Sequence, residues 1–472
     1  MLPTTVSRPT RCSAWPTTRS IRPSARAVNA FCASTICPPP RTDRHLWQLA
    51  WPIILSNISV PLLGLVDTAV VGHLEDAIYL GAVTLGAVLF SFLYWGFGFL
   101  RMGTTGMTAQ AHGRGDHDRL RTLLGQGILL ALAIGMLLML LGSPLISLGL
   151  GLMEASETTR ALAHDYASIR LWSAPAVLIN YVILGWFLGL GNSRVTLGIL
   201  VLTNVLNIVL DLAFVPGLGM TSDGVALASV IADYCGLAAG LWLVSRQLSR
   251  MPGHSDRAAL LSLSAWSVLI RVNQHLFVRT LCLLGATAYF TSQGASFGDE
   301  TLAANAVLLQ FVMITSYGLD GFAQAAESEV GRAVGQGDWQ RFTRSVRAAT
   351  RFSLVTAAAA SLLLWLLGPQ MIALLTDLPE VRQLAITYLP WMVAMPLVAV
   401  WSYLLDGIFI GATATREMRN TLVVSLLAFI GLWPLLESFG NHGLWLAFLL
   451  FTSVRSVVLG GYYLHHRRHH WR

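Results

Sequence analysis

The chain is dominated by apolar stretches, each long enough to cross the hydrocarbon core of a bilayer as a helix of about 20 residues. We identify twelve such stretches: 46–73, 80–101, 124–150, 166–190, 195–215, 224–244, 268–292, 302–328, 352–375, 388–412, 422–436 and 444–464. Of the 472 residues, 54% are hydrophobic and only 12% are charged, which lies outside the usual balance of soluble domains. The sequence therefore predicts an all-α integral membrane protein with about twelve transmembrane helices.

The charged residues follow a membrane topology. Lysine is absent. Arginines follow the even-numbered stretches: Arg114, Arg119, Arg121, Arg194, Arg246, Arg250, Arg257, Arg332, Arg341, Arg344, Arg347, Arg351, Arg416, Arg419, Arg467, Arg468 and Arg472. Acids dominate the other connections, among them Glu75, Asp223, Asp299 and Asp377. This positive-inside pattern predicts a multi-pass protein of the bacterial inner membrane with both termini in the cytoplasm, and it explains the net charge of +7 without a nucleic-acid partner.

Residues 1–43 are rich in Arg, Ser, Thr and Pro and lack the apolar segment of a signal peptide, so we expect a disordered extension. An organelle transit peptide has a similar composition and stays open as an alternative. We favour a dispensable extension or a wrongly chosen start, and a corrected start would use a non-Met codon such as Val28.

The sequence carries no sign of bound cofactors. Its five cysteines are an odd number without metal-ligand spacing, and the His-rich tail 465–472 is interpreted as a basic segment beside anionic lipid. No nucleotide-binding loop or nucleophile constellation is evident. We therefore expect no enzyme activity, no cofactor and no metal, with an ion gradient as the energy source.

Two motifs recur at one spacing and indicate an internal repeat. Gly113-Arg114-Gly115-Asp116 is echoed 222 residues later by Gly335-Gln336-Gly337-Asp338. The same offset relates Phe187-Leu188-Gly189 to Phe409-Ile410-Gly411, Tyr181 to Tyr403, and Gly185 to Gly407. The shared register is more informative than any of these short motifs alone.

The repeat predicts the domain organisation. Six spans per half is an even number, so the two halves enter the membrane in the same orientation, related by a pseudo-two-fold axis along the membrane normal. We expect a first lobe at 44–245, a cytoplasmic linker at 246–260 and a second lobe at 261–464. Repeated lobes around a cleft are what alternating access requires, so a transporter is the leading class.

Ionisable groups inside membrane spans are costly and mark candidate functional sites. In the first lobe the candidates are Asp67, Asn180, Asn204, Asn207 and Asp211. Spacings of three and four residues place the last three on one face of a helix. We expect Asp67 and Asp211 in the outer half of the membrane, where they would bind protons as a coupled pair. Structural hydrogen bonding is the alternative interpretation.

The second lobe holds a mixed set of charges: Asp320, Asp406, Arg271, Arg279 and Arg455. Because acids and bases occur together, we interpret this set as a paired ion network that holds helices in place. A second coupling site is the alternative. The first-lobe set, in contrast, has only Arg170 as a possible cation.

Several motifs resemble the multidrug and toxic compound extrusion (MATE) family. The family's first helix has counterparts here in Trp51-Pro52, Pro61, Val66-Asp67-Thr68 and Val71-Gly72-His73. The run 204–211 resembles its fifth helix. Within the family, the chain is most similar to the DNA-damage-inducible DinF branch. The residues that carry this similarity are Leu319-Asp320-Gly321, Glu327, Leu405-Asp406-Gly407, Glu417, Asn420 and Asn441 to Trp445. The resemblance covers residues 44–464.

This resemblance implies two six-helix lobes around a central cleft. It also implies antiport of small organic compounds, often cationic and lipophilic, against protons or sodium. The family's first-lobe proton site corresponds here to Asp67, Asn180, Asn207 and Asp211.

The choice between protons and sodium depends on the second lobe. Sodium-coupled members place acids in helices seven and ten. Asp406 matches the acid of helix ten, but span seven contains Arg271 and Arg279 and no acid. This difference favours proton coupling.

Two other functions stay open from the sequence. A flippase for lipid-linked saccharides, of related architecture, would use a cationic cavity for pyrophosphate, and Arg170, Arg271, Arg279 and Arg455 are candidates for it. A membrane scaffold without transport is the other. For a transporter we expect small-molecule substrates and contact with membrane lipid, with no obligate protein partner.

Overall fold

A computed structural model describes residues 42–71, 77–151, 153, 156–254, 258, 260 and 262–469. Within these ranges the side chains of residues 42, 60–63, 65, 67–71, 77, 263–265 and 468–469 are outside the description. The predicted extension 1–43 lies almost wholly outside the described residues.

The described residues form α-helices joined by short turns. The helices are α1 Thr42–Val71, α2 Ala77–Gly96, α3 Phe99–Arg114, α4 His117–Gly151, α5 Glu157–Arg170, α6 Ala174–Gly189, α7 Ser193–Leu212, α8 Ser222–Arg250, α9 Leu263–Ala295, α10 Asp299–Gln336, α11 Trp339–Leu375, α12 Pro379–Gly411, α13 Thr415–Leu436 and α14 Gly440–His469. Since α2 with α3 and α5 with α6 each form one continuous span, these helices make twelve rods across the described ranges. The predicted all-α membrane fold is confirmed.

By length and composition, nine helical segments of the described chain are long and apolar enough to cross a membrane. One of them, Thr415–Arg467, contains both α13 and α14. The remaining rods, α1 and α9, are 30 and 33 residues long.

In two rods, a local break in the α-helical hydrogen bonding lies next to a proline or contains one. Pro175 begins α6 after a 3₁₀ turn at Leu171–Ser173. A π-helical turn at Ala213–Gly217 contains Pro216 and follows α7 directly. Because proline cannot donate a helix hydrogen bond, both breaks fit the sequence. The second break comes just after the polar face of α7.

The turns divide the charged residues between two ends of the bundle. One end carries Arg114, Arg121, Arg250, Arg332 and Arg341, and we call it the basic end. The opposite end carries Glu157, Asp223, Asp299 and Glu380, and we call it the acidic end. Helices α8 and α14 continue to Arg250 and His469, so they extend into the segments predicted as linker and tail.

The repeat is visible in close contacts that only glycine permits. On α6, a Cβ added to Gly185 would collide with the carbonyl of Arg101 on α3. On α12, a Cβ added to Gly407 would collide with the carbonyl of Ala323 on α10. Both partners are separated by the offset of 222 residues predicted from the sequence.

A second pair of contacts joins the halves to each other. The backbone of Gly113 on α3 lies against the carbonyl of Arg332 on α10, and Gly335 on α10 lies against the carbonyl of Gln110 on α3. These contacts again differ by 222 in both members. Helices α3 and α10 therefore face each other across the pseudo-two-fold axis.

The halves are held together near the basic end. Glu329 on α10, with a side chain 3% exposed, pairs with His45 on α1 at 3.1 Å and with Arg341 on α11 at 3.0 Å. Arg332 contacts the ring of His112 on α3. The contacts of His45 with Glu329 and of His112 with Arg332 cross from one half to the other, so the lobes are joined at this end.

Candidate functional site

Helix α7 carries the polar face predicted for the first lobe, and its members contact two neighbouring helices. The amide nitrogen of Asn204 donates to the hydroxyl of Ser59 on α1 at 3.0 Å. Asn207 and Asp211 are 2% and 0% exposed, and Asn207 contacts Ser229 on α8. The face therefore forms a buried polar interface among α1, α7 and α8.

The side chain of Asn207 connects Asp211 to α8. In the amide orientation that satisfies both ends, its nitrogen donates to Oδ2 of Asp211 at 3.1 Å. Its oxygen then accepts from the hydroxyl and the backbone N–H of Ser229, at 3.0 and 3.1 Å. The amide and the hydroxyl are uncharged, so they hold the carboxyl group of Asp211 without neutralising it.

Asp67 lies on α1, but its side chain is outside the described residues. The backbone register still gives its height in the membrane. Asp67 follows Ser59 by eight residues and Asp211 follows Asn204 by seven, so both lie roughly 11 Å beyond the Ser59–Asn204 contact, toward the acidic end. The register thus places the two acids at the same level.

Asn180 on α6 contacts α8 as well. Its amide nitrogen donates to the carbonyl of Asp233 at 3.3 Å. The Asp233 carboxylate pairs with Arg170 at 2.7 Å, where the side chains are 16% and 19% exposed. Asp233 lies one helical turn after Ser229, so Asn180 reaches the helix that also binds Asn207.

Asp233 is not among the site residues predicted from the sequence. An acid inside the sixth predicted span was the signal that would have found it. Because Asp233 pairs with Arg170, the cation expected near the first-lobe set is already bound to a carboxylate.

In the second half, Asp406 on α12 is bound by two arginines. Arg279 on α9 and Arg455 on α14 both donate through Nη2 to Oδ2 of Asp406, and all three side chains are at most 7% exposed. The guanidinium of Arg455 also lies 5.7 Å from the ring centroid of Tyr403. This contact ties three helices together and sets one negative charge against two positive charges.

The other predicted members of this network are placed differently. Asp320 on α10 is partly buried, and its electrostatic neighbours include Arg101, Arg279 and Arg455. Arg271 is exposed on α9. The structure thus brings Arg279, Asp406 and Arg455 into contact, places Asp320 nearby and leaves Arg271 at the surface.

Arg101 is a further intramembrane charge that was not predicted from the sequence. The second predicted stretch, 80–101, ends at this residue, but α3 continues to Arg114. Its side chain is partly buried, and its charge acts on Asp320 and Glu327 of α10. A longer span, ending at the first glycine turn, would have placed Arg101 inside the membrane.

Comparison with known proteins agrees with this architecture. The MatE family model matches residues 52–213 and again residues 276–435. The starts of the two matches, 52 and 276, are separated by nearly the repeat offset. The DNA damage-inducible protein F of Escherichia coli (strain K12) is 44% identical over 435 residues, covering 91% of this chain and 93% of that protein.

More distant proteins match over similar lengths. The probable multidrug resistance protein NorM of Acinetobacter baylyi is 25% identical, covering 88% of this chain and 94% of that protein. A solved structure, described as the outward-facing conformation of a multidrug resistance MATE family transporter, has a TM-score of 0.82 at 20% identity. It covers 91% of this chain and 96% of that chain, and it supports the fold.

The predicted family, the two-lobe membrane fold and the transporter class are confirmed by these comparisons and by the twelve described rods. Members of this family are transporters and not enzymes. The chain belongs to the MatE family of multi-pass membrane transporters.

Proposed function

We propose that this protein exports small organic compounds by alternating access in exchange for protons that bind in the first lobe. The observation that carries this proposal is the wholly buried carboxyl group of Asp211, held by the Asn207 amide, which Ser229 orients. Its position at the level of Asp67 places two acids at one height in the membrane. Such a pair can take up and release a proton as a unit.

The contacts of Asn207 suit both protonation states. Its N–H donates to a carboxylate oxygen, and it can equally donate to the carbonyl oxygen of the protonated acid. A neutral pocket packs closely without the cost of a buried charge, whereas a charged pocket favours access to water. Protonation would therefore favour one arrangement of α1, α7 and α8, and deprotonation another.

The second lobe supports protons over sodium as the driving ion. A sodium site needs free carboxylate or carbonyl oxygens, and Oδ2 of Asp406 already accepts from Arg279 and Arg455. The guanidinium groups already supply positive charge beside this acid, which opposes the binding of a further cation. Proton binding in the first lobe remains the simpler source of coupling.

The topology and the relatives' names support the remaining parts of the proposal. With the basic end in the cytoplasm, as the positive-inside rule requires, both termini are cytoplasmic in an inner membrane. The multidrug names of relatives support small organic compounds as substrates. We propose that these include lipophilic cations and that no obligate protein partner is needed. Lipid would contact the apolar outer faces of the rods.

The lipid-linked saccharide flippase receives less support. Its pyrophosphate would need unpaired cations, but Arg170 is paired with Asp233, and Arg279 and Arg455 share Asp406. Arg271 lies at an exposed position on α9. The arginines that suggested a cationic cavity are thus largely engaged with carboxylates.

The test is a drug-sensitivity panel in an efflux-deficient bacterium, followed by ethidium transport in vesicles with an imposed pH gradient. The wild type should confer resistance and export ethidium, and collapse of the gradient should abolish export. Asp67→Asn and Asp211→Asn should each reduce pH-driven export to the level of empty vesicles at wild-type yield, because the amide cannot release a proton.

The matched control is Asp223→Asn, an acid at the start of α8 at the acidic end, which should leave export unchanged. Full export by both pocket variants would place the coupling site elsewhere. Export driven by sodium and insensitive to the pH gradient would overturn proton coupling.

A further inference from the structure

The two halves meet where α3 packs against α10, and we call this contact the seam. It contains an acid that the proposed function does not use. Thr105 on α3 and Glu327 on α10 are related by the repeat offset of 222, and their carbonyls make equivalent contacts with Gly189 and Gly411. The hydroxyl of Thr105 also lies beside the carboxyl group of Glu327. Two equivalent residues that meet must lie at the pseudo-two-fold axis.

Glu327 is deeply buried at this axis. It is 1% exposed, and its Oε1 has no hydrogen-bond partner within the described residues. Arg101 acts on it electrostatically, but the described chain shows no ion pair between them, and the buried Nη1 of Arg101 has no hydrogen-bond partner there. Because an unpaired carboxylate is costly to bury, the closed seam favours the neutral acid.

The hydroxyl of Thr105 offers a hydrogen-bond acceptor to the neutral acid. Its oxygen lies 2.8 Å from the carbonyl of Arg101, and when it donates there its lone pairs face Glu327. A hydroxyl oxygen in this state accepts a hydrogen bond from a protonated carboxyl group and repels a carboxylate. The contact is therefore suited to Glu327 with its proton.

Other charges near Glu327 do not supply a partner. Arg279 on α9 and Asp320 on α10 act on it electrostatically, but Arg279 donates to Asp406. On α1, His45 pairs with Glu329, two residues farther along α10. Arg101 is thus the cation that is available to Glu327 when the seam rearranges.

We propose that Glu327 is a second proton-binding group of the transport cycle, which holds its proton while the seam is closed and releases it when the basic end opens. Glu327 precedes the end of α10 by nine residues, so it lies about 13 Å from the basic end. On opening, its O–H bond breaks and the proton passes to water entering from that end. The carboxylate left behind pairs with Arg101.

This inference rests on the proposed antiport, and its first test does not depend on substrate. In infrared spectra of the purified protein at neutral pH, Glu327→Gln should remove the absorption of one protonated carboxyl group. Glu300→Gln makes the same chemical change at an exposed position of α10 and should leave that absorption intact. Equal absorption in the wild type and Glu327→Gln would overturn the proposal.

Thr105→Val keeps the test decisive if Glu327→Gln does not fold. Because valine cannot accept a hydrogen bond, the carboxyl absorption of Glu327 should shift in frequency. A spectrum identical to that of the wild type would show that Thr105 does not bind a protonated Glu327.

The second test counts protons in vesicles. With ethidium as the probe, Glu327→Gln should exchange one proton fewer per molecule than the wild type, and Glu327→Asp should restore the count. Exchange of labelled for unlabelled ethidium without any gradient should persist in all three proteins. Wild-type vesicles without exchange would refute the proposed function, whereas an unchanged proton count in Glu327→Gln would refute the role of Glu327.

Discussion

The two halves use the same backbone contacts but surround their buried acids with different partners. In the first half, Asp211 receives a hydrogen bond from the neutral amide of Asn207. In the second half, Asp406 receives two guanidinium groups, from Arg279 and Arg455. Two guanidinium groups pair with a buried carboxyl group and tie their helices to it, whereas an amide supplies a hydrogen bond without a charge. On the proposed function, the first half exchanges protons and the second half holds helices together.

The largest expected effect on stability comes from removing the charge of Asp406. Asp406→Asn strands Arg279 and Arg455 in a buried site, which should lower the free energy of unfolding by about 3–5 kcal/mol. Asp211→Asn should change it far less, because asparagine imitates the protonated acid. Thermal unfolding of the detergent-purified variants measures the difference.

A triple variant provides the control for this prediction. Asp406→Leu with Arg279→Met and Arg455→Met removes all three charges together, and its stability should lie much closer to that of the wild type. Stable, well-expressed Asp406→Asn with selectively lost transport would contradict the structural role and make Asp406 a coupling residue.

A smaller effect is expected at the contacts that the halves share. Gly185→Ala and Gly407→Ala each push a methyl group into a carbonyl of the neighbouring helix, so each should cost about 1–3 kcal/mol. Gly198→Ala, at a position with open space, is the matched control. If thermal unfolding shows a loss for only one of the two glycines, the contacts are not equivalent in the two halves.

The smallest effect concerns the second contact of Asn207. Ser229→Ala removes one hydrogen bond from its amide oxygen, which should cost about 1 kcal/mol of stability. Because Asn207 is then less well oriented toward Asp211, the pH dependence of export should also change. Asn204→Ala, which loses its bond to Ser59, should cost a similar amount without altering that pH dependence. Identical pH profiles for both variants would argue against Ser229 as a positioning residue.

Much of the fold followed from periodic features of the sequence. The number of apolar stretches of membrane-spanning length predicted the number of rods. The alternation of arginines and acids between successive connections distinguished the two ends of the bundle. The offset between Gly185 and Gly407 identified residues that make equivalent contacts. Such features depend on local sequence, and a bilayer leaves few alternative folds for long apolar helices.

The candidate site was only partly accessible from the sequence. Asp211 and Asn207 were identified because they share one face of a single helix. Asp233 was missed, and it meets Arg170 from a different helix. The role of Arg101 was missed because the predicted span ended at that residue.

The sequence by itself determined a two-lobe helical membrane protein, the family it resembles and the acids worth examining. Only the tertiary structure decided which partner each acid has: an amide for Asp211, two arginines for Asp406 and a hydroxyl at the seam for Glu327. The physical reason is that the charge state of a buried group depends on what surrounds it in space. Those neighbours come from helices far apart in the chain, so no local pattern of residues specifies them.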